Sequence, residues 1–284
     1  MHVGLGLPIS DPGSLLDWAR RADAGPFSTV GLLDRLVYDN PEPLVTLAAI
    51  AAATTRVRVQ TEVLLAPLRQ PALLAKQAAT IDRLSGGRLV LGLGVGDARR
   101  RDDHLAAGTD PQHRGRRLDA QMQLMRRIWA GEPVGEGVGP VGPAPARPGG
   151  PEVLFGGFQP AALERVARWG DGFLAAAPPA WAGRLFDTVK QAWQETGRSG
   201  RPRIVAQANA ALGPQDVLDD ARAAVGGYYA FTGDVRRAVE GILTTPEQVR
   251  TTIAQFEQLG ADEVMLYCWA RDPVQVDRLA DLAA

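Results

Sequence analysis

Four short stretches of this chain carry side chains or bare backbone that can do chemistry. Asp34-Arg35 sets an acid beside a guanidinium; the two either pair to fix a loop or serve at a cofactor ring. In Thr61-Glu62-Val63-Leu64 a carboxylate interrupts an apolar run, where a buried charge without a partner is costly. Glu62 therefore needs either a structural arginine or a pocket that holds solvent or ligand. The run Leu91-Gly92-Leu93-Gly94-Val95-Gly96-Asp97, followed by Arg99, Arg100 and Arg101, resembles a nucleotide-binding glycine pattern. Its glycines lie within a strand, and no helix follows at the spacing of a dinucleotide fingerprint. Such glycines let a backbone approach a flat ring, or relieve crowding where the strand bends. The arginines read as a solvated loop face, with one of them free to grip an anion. Finally, Leu154-Phe155-Gly156-Gly157-Phe158-Gln159-Pro160 runs a strand through two glycines into a helix. Free N–H groups and the helix dipole suit a phosphate there, and a tight turn with no ligand is the plainer alternative.

These stretches need a frame, and the periodicity supplies one. Short apolar runs alternate with longer helical stretches almost from end to end, which predicts parallel βα units. Strands are expected at 3–8, 29–33, 56–65, 88–95, 152–155, 172–175, 203–210 and 263–268. The first helix shows Leu15, Trp18, Ala19 and Ala22 on one face; a later one, at 115–130, buries Leu118, Met122, Met125, Ile128 and Trp129. Gly86-Gly87 suits the end of a helix in which Leu74, Ala78 and Ile81 repeat. Residues 131–151, rich in glycine and proline, are expected to form a surface loop. An additional helical segment, 215–241, lies between the seventh and eighth strands. Eight units without a compositional break predict a single (β/α)8 barrel domain spanning 1–284, with its reactive groups at the C-terminal strand ends.

Composition narrows the function classes. The 31 basic and 32 acidic residues give a net charge of −1 and are mixed along the chain, which offers nothing to nucleic acid or a membrane surface. No apolar run approaches membrane-spanning length and the N-terminus lacks a signal-peptide pattern, so a cytoplasmic protein is expected. His2, His104 and His113 are scattered and no Cys/His cluster exists to make a zinc site. Cys268 stands in an apolar run and reads as a buried, inert thiol.

Taken in order, several blocks resemble the bacterial-luciferase-like family of flavin- or deazaflavin-dependent oxidoreductases. They are Leu33-Asp34-Arg35 with Pro43-Leu44-Val45-Thr46-Leu47-Ala48-Ala49, Leu73-Leu74-Ala75-Lys76-Gln77, Asp82-Arg83-Leu84-Ser85-Gly86-Gly87-Arg88-Leu89, and Gly92-Leu93-Gly94-Val95-Gly96. Further on come His113-Arg114-Gly115-Arg116-Arg117-Leu118-Asp119-Ala120-Gln121, the Gly156-Gly157 turn and Ala167-Arg168-Trp169-Gly170-Asp171-Gly172. The resemblance implies a ring system over the barrel mouth against strands two to four. Thr61, Glu62, Val63, Gly94, Val95 and Gly96 would lie near it, and Gly156, Gly157 and Phe158 would hold the phosphate. It also implies a non-proline cis peptide at Glu62–Val63 and a homodimer.

One departure matters. Many relatives carry a histidine in the loop after strand two, and the matching position here is Arg35, which cannot shuttle protons near neutral pH. Acid/base work would then fall to His104, Asp34, Tyr228 or Tyr229, while Asp34, Arg35, Glu62 and His104 are the residues expected at the catalytic centre. The chain is also short for the family, which implies a trimmed insertion after strand seven and a more open substrate pocket. The leading expectation is a monooxygenase using reduced FMN and O2 on a small organic substrate, with a separate flavin reductase as electron source. The alternatives are hydride transfer with the deazaflavin coenzyme F-420, a flavin-binding protein without turnover, and an unrelated barrel enzyme acting on a sugar phosphate.

Overall fold

The computed structural model describes residues 1–283. Nine strand segments are present: β1 (His2–Gly6), β2 (Thr29–Leu32), β3 (Arg58–Thr61), β4 (Leu64–Leu65), β5 (Leu89–Gly94), β6 (Glu152–Gly156), β7 (Gly172–Ala175), β8 (Arg203–Ala210) and β9 (Glu263–Cys268). All pair in parallel in the order β3-β2-β1-β9-β8-β7-β6-β5-β4, and β5 also pairs with β3, so the sheet closes on itself. The third expected strand is real but interrupted at Glu62-Val63, whose peptide bond is cis as the resemblance implied. Counting β3 and β4 as one, eight strands make the expected (β/α)8 barrel.

Side chains alternate across each strand, so every second residue must help fill the barrel. The interior is layered. At the N-terminal end Arg203 bridges Glu152 (2.9 Å) and Glu263, Glu263 also accepts from the Ser28 hydroxyl, and Arg58 approaches Glu152 at 3.7 Å. Above this charged base Val90, Leu154, Leu174, Val205 and Met265 form an apolar layer against which Val63 packs. A third layer lies toward the C-terminal strand ends.

Helices surround the sheet: α1 (Pro12–Ala24), α2 (Pro43–Ala53), α3 (Pro71–Leu84), α4 (Asp102–Ala106), α5 (Arg114–Trp129), α6 (Pro160–Trp169), α7 (Pro179–Glu195), α8 (Gln215–Tyr229), α9 (Val235–Glu240), α10 (Pro246–Gln258) and α11 (Val274–Ala283). The expected faces of α1 and α5 are buried. Prolines occupy the first turns of α1, α2, α3, α6, α7 and α10, where a missing N–H leaves no intrahelical bond unmade. Thr245 and Gln248 close a reciprocal cap on α10.

Two stretches differ in detail from the sequence expectation. The 131–151 segment is irregular but fastened: Lys76 donates to Gly142 O (2.7 Å), Ala146 N to Asp82 (2.8 Å) and Arg147 to Leu89 O (3.0 Å). The 215–241 segment divides into α8, a short turn and α9, and α4 was not foreseen in the arginine-rich connection. Among the described residues no helix is long and apolar enough to cross a membrane.

The base makes a stability prediction. Removing Arg203 strands Glu263, which is fully buried, and breaking a buried pair from one side costs roughly 3–5 kcal/mol. Arg203→Leu is therefore expected to lower the urea-unfolding free energy by about that amount. A stability equal to the parent's would show that the ring contributes nothing.

Candidate functional site

The upper interior layer begins with absences. Gly6, Gly31, Gly94 and Gly156 occupy inward positions where a Cβ would collide with a neighbouring side chain: at Gly6 with the Tyr267 ring (2.2 Å), at Gly31 with Glu62 (2.7 Å), and at Gly94 and Gly156 with Val63 (2.5 and 2.9 Å). The glycines thus make room for Tyr267, Glu62 and Val63, which together form the floor of the barrel mouth. Thr61 joins them through its hydroxyl, which donates to Gly92 O (2.7 Å) and ties β3 to β5. Thr61, Glu62, Val63 and Gly94, grouped by the resemblance, lie together here, and Gly156, assigned by it to the phosphate, abuts Val63.

Glu62 is 8% exposed, and its carboxyl accepts from the Gln60 amide. Its Oε2 has no partner, and neither does the Tyr267 hydroxyl or Gln60 Oε1. Burial pushes the Glu62 carboxyl up to about 8; the Gln60 amide lowers it, Glu263 raises it and Arg203 lowers it. At neutral pH it is a carboxylic acid, able to donate as well as accept. Burial also pushes the Tyr267 phenol well up, with Glu62 adding to the effect.

The other residues expected at the catalytic centre are engaged in contacts within the protein. Asp34 accepts from Leu65 N (2.7 Å) and from both terminal nitrogens of Arg69 (2.6 and 3.1 Å). It clamps the β2 loop to the end of β4, so the anticipated pairing with Arg35 is not formed. Arg35 instead gives Nε to Asp103 Oδ2 (2.6 Å), and Asp103 Oδ1 accepts from Leu36 N and Val37 N (2.9 and 2.7 Å). His104, buried on α4, has its Nε2 3.2 Å from Val95 O and its Nδ1 3.0 Å from the Thr109 hydroxyl. Because a carbonyl only accepts, Nε2 carries the proton and both ring nitrogens are used. Asp34 and His104 thus both make their hydrogen bonds to protein partners. Val95 and Gly96 belong with this His104 contact.

At the rim, Gly157 has φ +149°, and a Cβ there would lie 2.6 Å from that of Ala162. The adjoining α6 has no side-chain cap, which leaves bare backbone at a helix N-terminus. Phe158 is half-exposed, with its ring 5.3 Å from Trp181. Opposite, Tyr228 packs against Trp269 (5.0 Å), Tyr229 (5.0 Å) and Tyr38 (5.4 Å), while Trp269 donates to Asn209 (2.8 Å). Arg100 lies over the Phe231 ring at 3.7 Å and donates to Tyr228 O. Through these contacts the segment between β8 and β9 packs over Trp269, at the end of β9, as an aromatic cover. Burial pushes the phenols of Tyr228 and Tyr229 up, so both stay protonated and supply no base at neutral pH.

Comparison with known proteins now bears on this barrel. The model of the luciferase-like monooxygenase family matches residues 2–243. The chain belongs to that family. A Mycobacterium tuberculosis protein described as uncharacterized is 36% identical over 166 residues, 56% of either chain. The F420-dependent glucose-6-phosphate dehydrogenase of Kineococcus radiotolerans is 31% identical over 208 residues, covering 66% of this chain and 60% of that enzyme. These alignments span less than two thirds of the relatives' lengths. Among solved structures, monooxygenase RslO1 from Streptomyces bottropensis superposes with a TM-score of 0.82 at 24% identity, over 99% of this chain and 97% of that one. An F420-dependent secondary alcohol dehydrogenase in complex with an F420-acetone adduct gives 0.82 at 17% identity with the same coverage. A type II Baeyer-Villiger monooxygenase from Pseudomonas putida in complex with FMN gives 0.76 at 18% identity, so FMN and the deazaflavin both occur among the similar proteins, which are oxidoreductases or monooxygenases.

The buried acid has a measurable signature. Folding raises the Glu62 value from 4.5 to about 8, so the native state keeps a proton that the unfolded state releases between those values. Its contribution is present below pH 4.5 and is lost as pH rises to about 8. Glu62→Gln is expected to remove this decline, making the variant gain on the parent in urea midpoint from pH 5 to pH 8. Parallel pH profiles for the two proteins would sink the assignment.

Proposed function

We propose that the chain is a hydride-transfer oxidoreductase working with reduced deazaflavin, coenzyme F-420, on a small organic substrate, and that Glu62 handles the proton. The observation that carries the reading is the buried, protonated Glu62, with a free Oε2, in the glycine-spaced floor of the mouth. The roughly 30%-identical dehydrogenases named for the deazaflavin support the cofactor.

The residues present fit such a group. Gly94 and the Val63 beside it offer a smooth apolar support for a flat ring, and bare backbone at Gly157 and Phe158 before α6 suits its phosphate. Bound there, the deazaflavin would supply the hydride. Reduction of a carbonyl also needs a proton on oxygen, and Oε2 of Glu62 would give it, the resulting carboxylate taking another from solvent. In the reverse direction the ionised carboxylate would take the proton from an alcohol. A group whose proton affinity lies near the working pH suits both directions. Glu62 thus stands in for the histidine that Arg35 replaces, while the aromatic cover of Tyr228 and Trp269 keeps water from the reacting centre.

The FMN monooxygenase reading is the second, favoured by the description of the matched family; it would use O2 and a separate flavin reductase. A homodimer through neighbouring helices α2 and α3 fits either reading, because Val45 (69% exposed) and Leu73 (55%) present apolar side chains there.

Anaerobic turnover with reduced deazaflavin is the deciding assay, and substrate-dependent oxygen uptake with reduced FMN would instead establish the monooxygenase. Under the first reading Glu62→Gln is expected to lower kcat by about 10²–10⁴ and to abolish a titration near pH 8, leaving cofactor affinity within about twofold. Wild-type turnover in Glu62→Gln would remove Glu62 from the chemistry. The double variant Val45→Arg/Leu73→Arg is expected to elute as a monomer where the parent is a dimer.

A further inference from the structure

Beside the aromatic cover lies a cavity of about 410 Å³ lined by Tyr38, Arg99 to Arg101, Asp102, Gly227, Ala230 and Phe231. Its size suits a small organic molecule. Its charges are unevenly matched. Arg99 is held by Asp97 through two nitrogens (3.0 and 2.7 Å), and Asp102 faces Arg35 at 3.7 Å. Arg100 has no carboxylate partner: it lies over Phe231 and Tyr228 and donates to a backbone carbonyl, and its buried Nε has no acceptor. Arg101 is exposed and makes no ion pair among the described residues; the nearby Asp110 is already bound to His113 (2.5 Å). Behind the Tyr38 and Asp102 wall, Arg35 is 96% buried at its side chain, yet Nη1 and Nη2 lack hydrogen-bond acceptors. Two guanidiniums without a carboxylate partner, Arg100 and Arg101, and the rings of Tyr38 and Phe231 thus line one concave surface, with the buried Arg35 adding positive charge behind it.

We propose that this cavity is a subsite for the anionic end of the substrate, a carboxylate or phosphate monoester carried on a flat, unsaturated body. The inference rests on the oxidoreductase reading for calling the ligand a substrate, and on the cavity alone for its charge. Arg101 and Arg100 receive the anion, for which a guanidinium offers paired donors, and Phe231 and Tyr38 line the body. Selectivity then comes from charge at the rim, well separated in role from the proton chemistry of Glu62.

The test titrates the cofactor-free protein calorimetrically with benzoate, phenyl phosphate and the neutral benzyl alcohol. Benzoate or phenyl phosphate is expected to bind more tightly than benzyl alcohol. Arg101→Gln should weaken the anions by about tenfold without altering benzyl alcohol, and Tyr38→Leu should weaken all three. Equal binding of charged and neutral probes, or anion affinity unchanged in both Arg101→Gln and Arg100→Gln, overturns the proposal. So does loss of deazaflavin affinity in Arg101→Gln without any anion binding, which would assign the arginine to the cofactor. Thermal unfolding of each variant separates lost binding from lost folding. Anion binding by a protein that takes up neither deazaflavin nor FMN would support the subsite while refuting the cofactor reading.

Discussion

Everything in this molecule answers to the need to fill a closed parallel barrel. A ring of eight strands leaves no edge, but its inward positions must be packed to native density or matched in charge. The chain meets this with a charged base, an apolar middle and an upper layer in which glycines admit three larger side chains. That upper layer places a carboxyl among groups that cannot fully hydrate it. The unusual proton affinity of Glu62 is therefore a product of packing, arising from the same glycines that let the interior close.

The loops above the strands add a second constraint. Asp34 with Arg69, and Arg35 with Asp103, each join a β2-loop residue to a later connection. These buried pairs are accompanied by backbone donors to the same carboxylates, the arrangement in which desolvation is best offset. They fix the rim on that side, so the variable chemistry of the mouth sits on a stiff collar. Opposite it, the aromatic contacts of Tyr228 and Trp269, donors from Arg99 and Arg100 to backbone carbonyls, and the Arg271–Asp220 pair hold the α8–α9 cover.

Much of the frame was legible because its signals are local. Apolar alternation placed the strands, and proline and capping residues marked the helices; Gly86 and Gly87, both at positive φ, end α3 as expected. The family resemblance located the cis bond and the convergence of Thr61, Glu62, Val63 and Gly94. What sequence could not give was partnership. Asp34 and Arg35 are adjacent, yet each pairs with a residue more than thirty positions away, and adjacency suggested the wrong couple. His104 was a candidate by residue type alone, and the closing of Thr109 and Val95 O around it comes only with the folded loop. Tyr267 was missed although the strand period 263, 265, 267 points it inward with Glu263 and Met265; the signal was present and was read only as an apolar run.

The layered interior has a consequence for how such an enzyme can be adjusted. Glu62 feels Arg203 and Glu263 at the opposite end of the barrel, across the apolar layer. A substitution in that remote base, out of reach of any ligand, can therefore retune the acid strength at the mouth. The foundation that stabilises the barrel thus also touches the proton affinity of the carboxyl at its mouth, so drift in one carries over to the other.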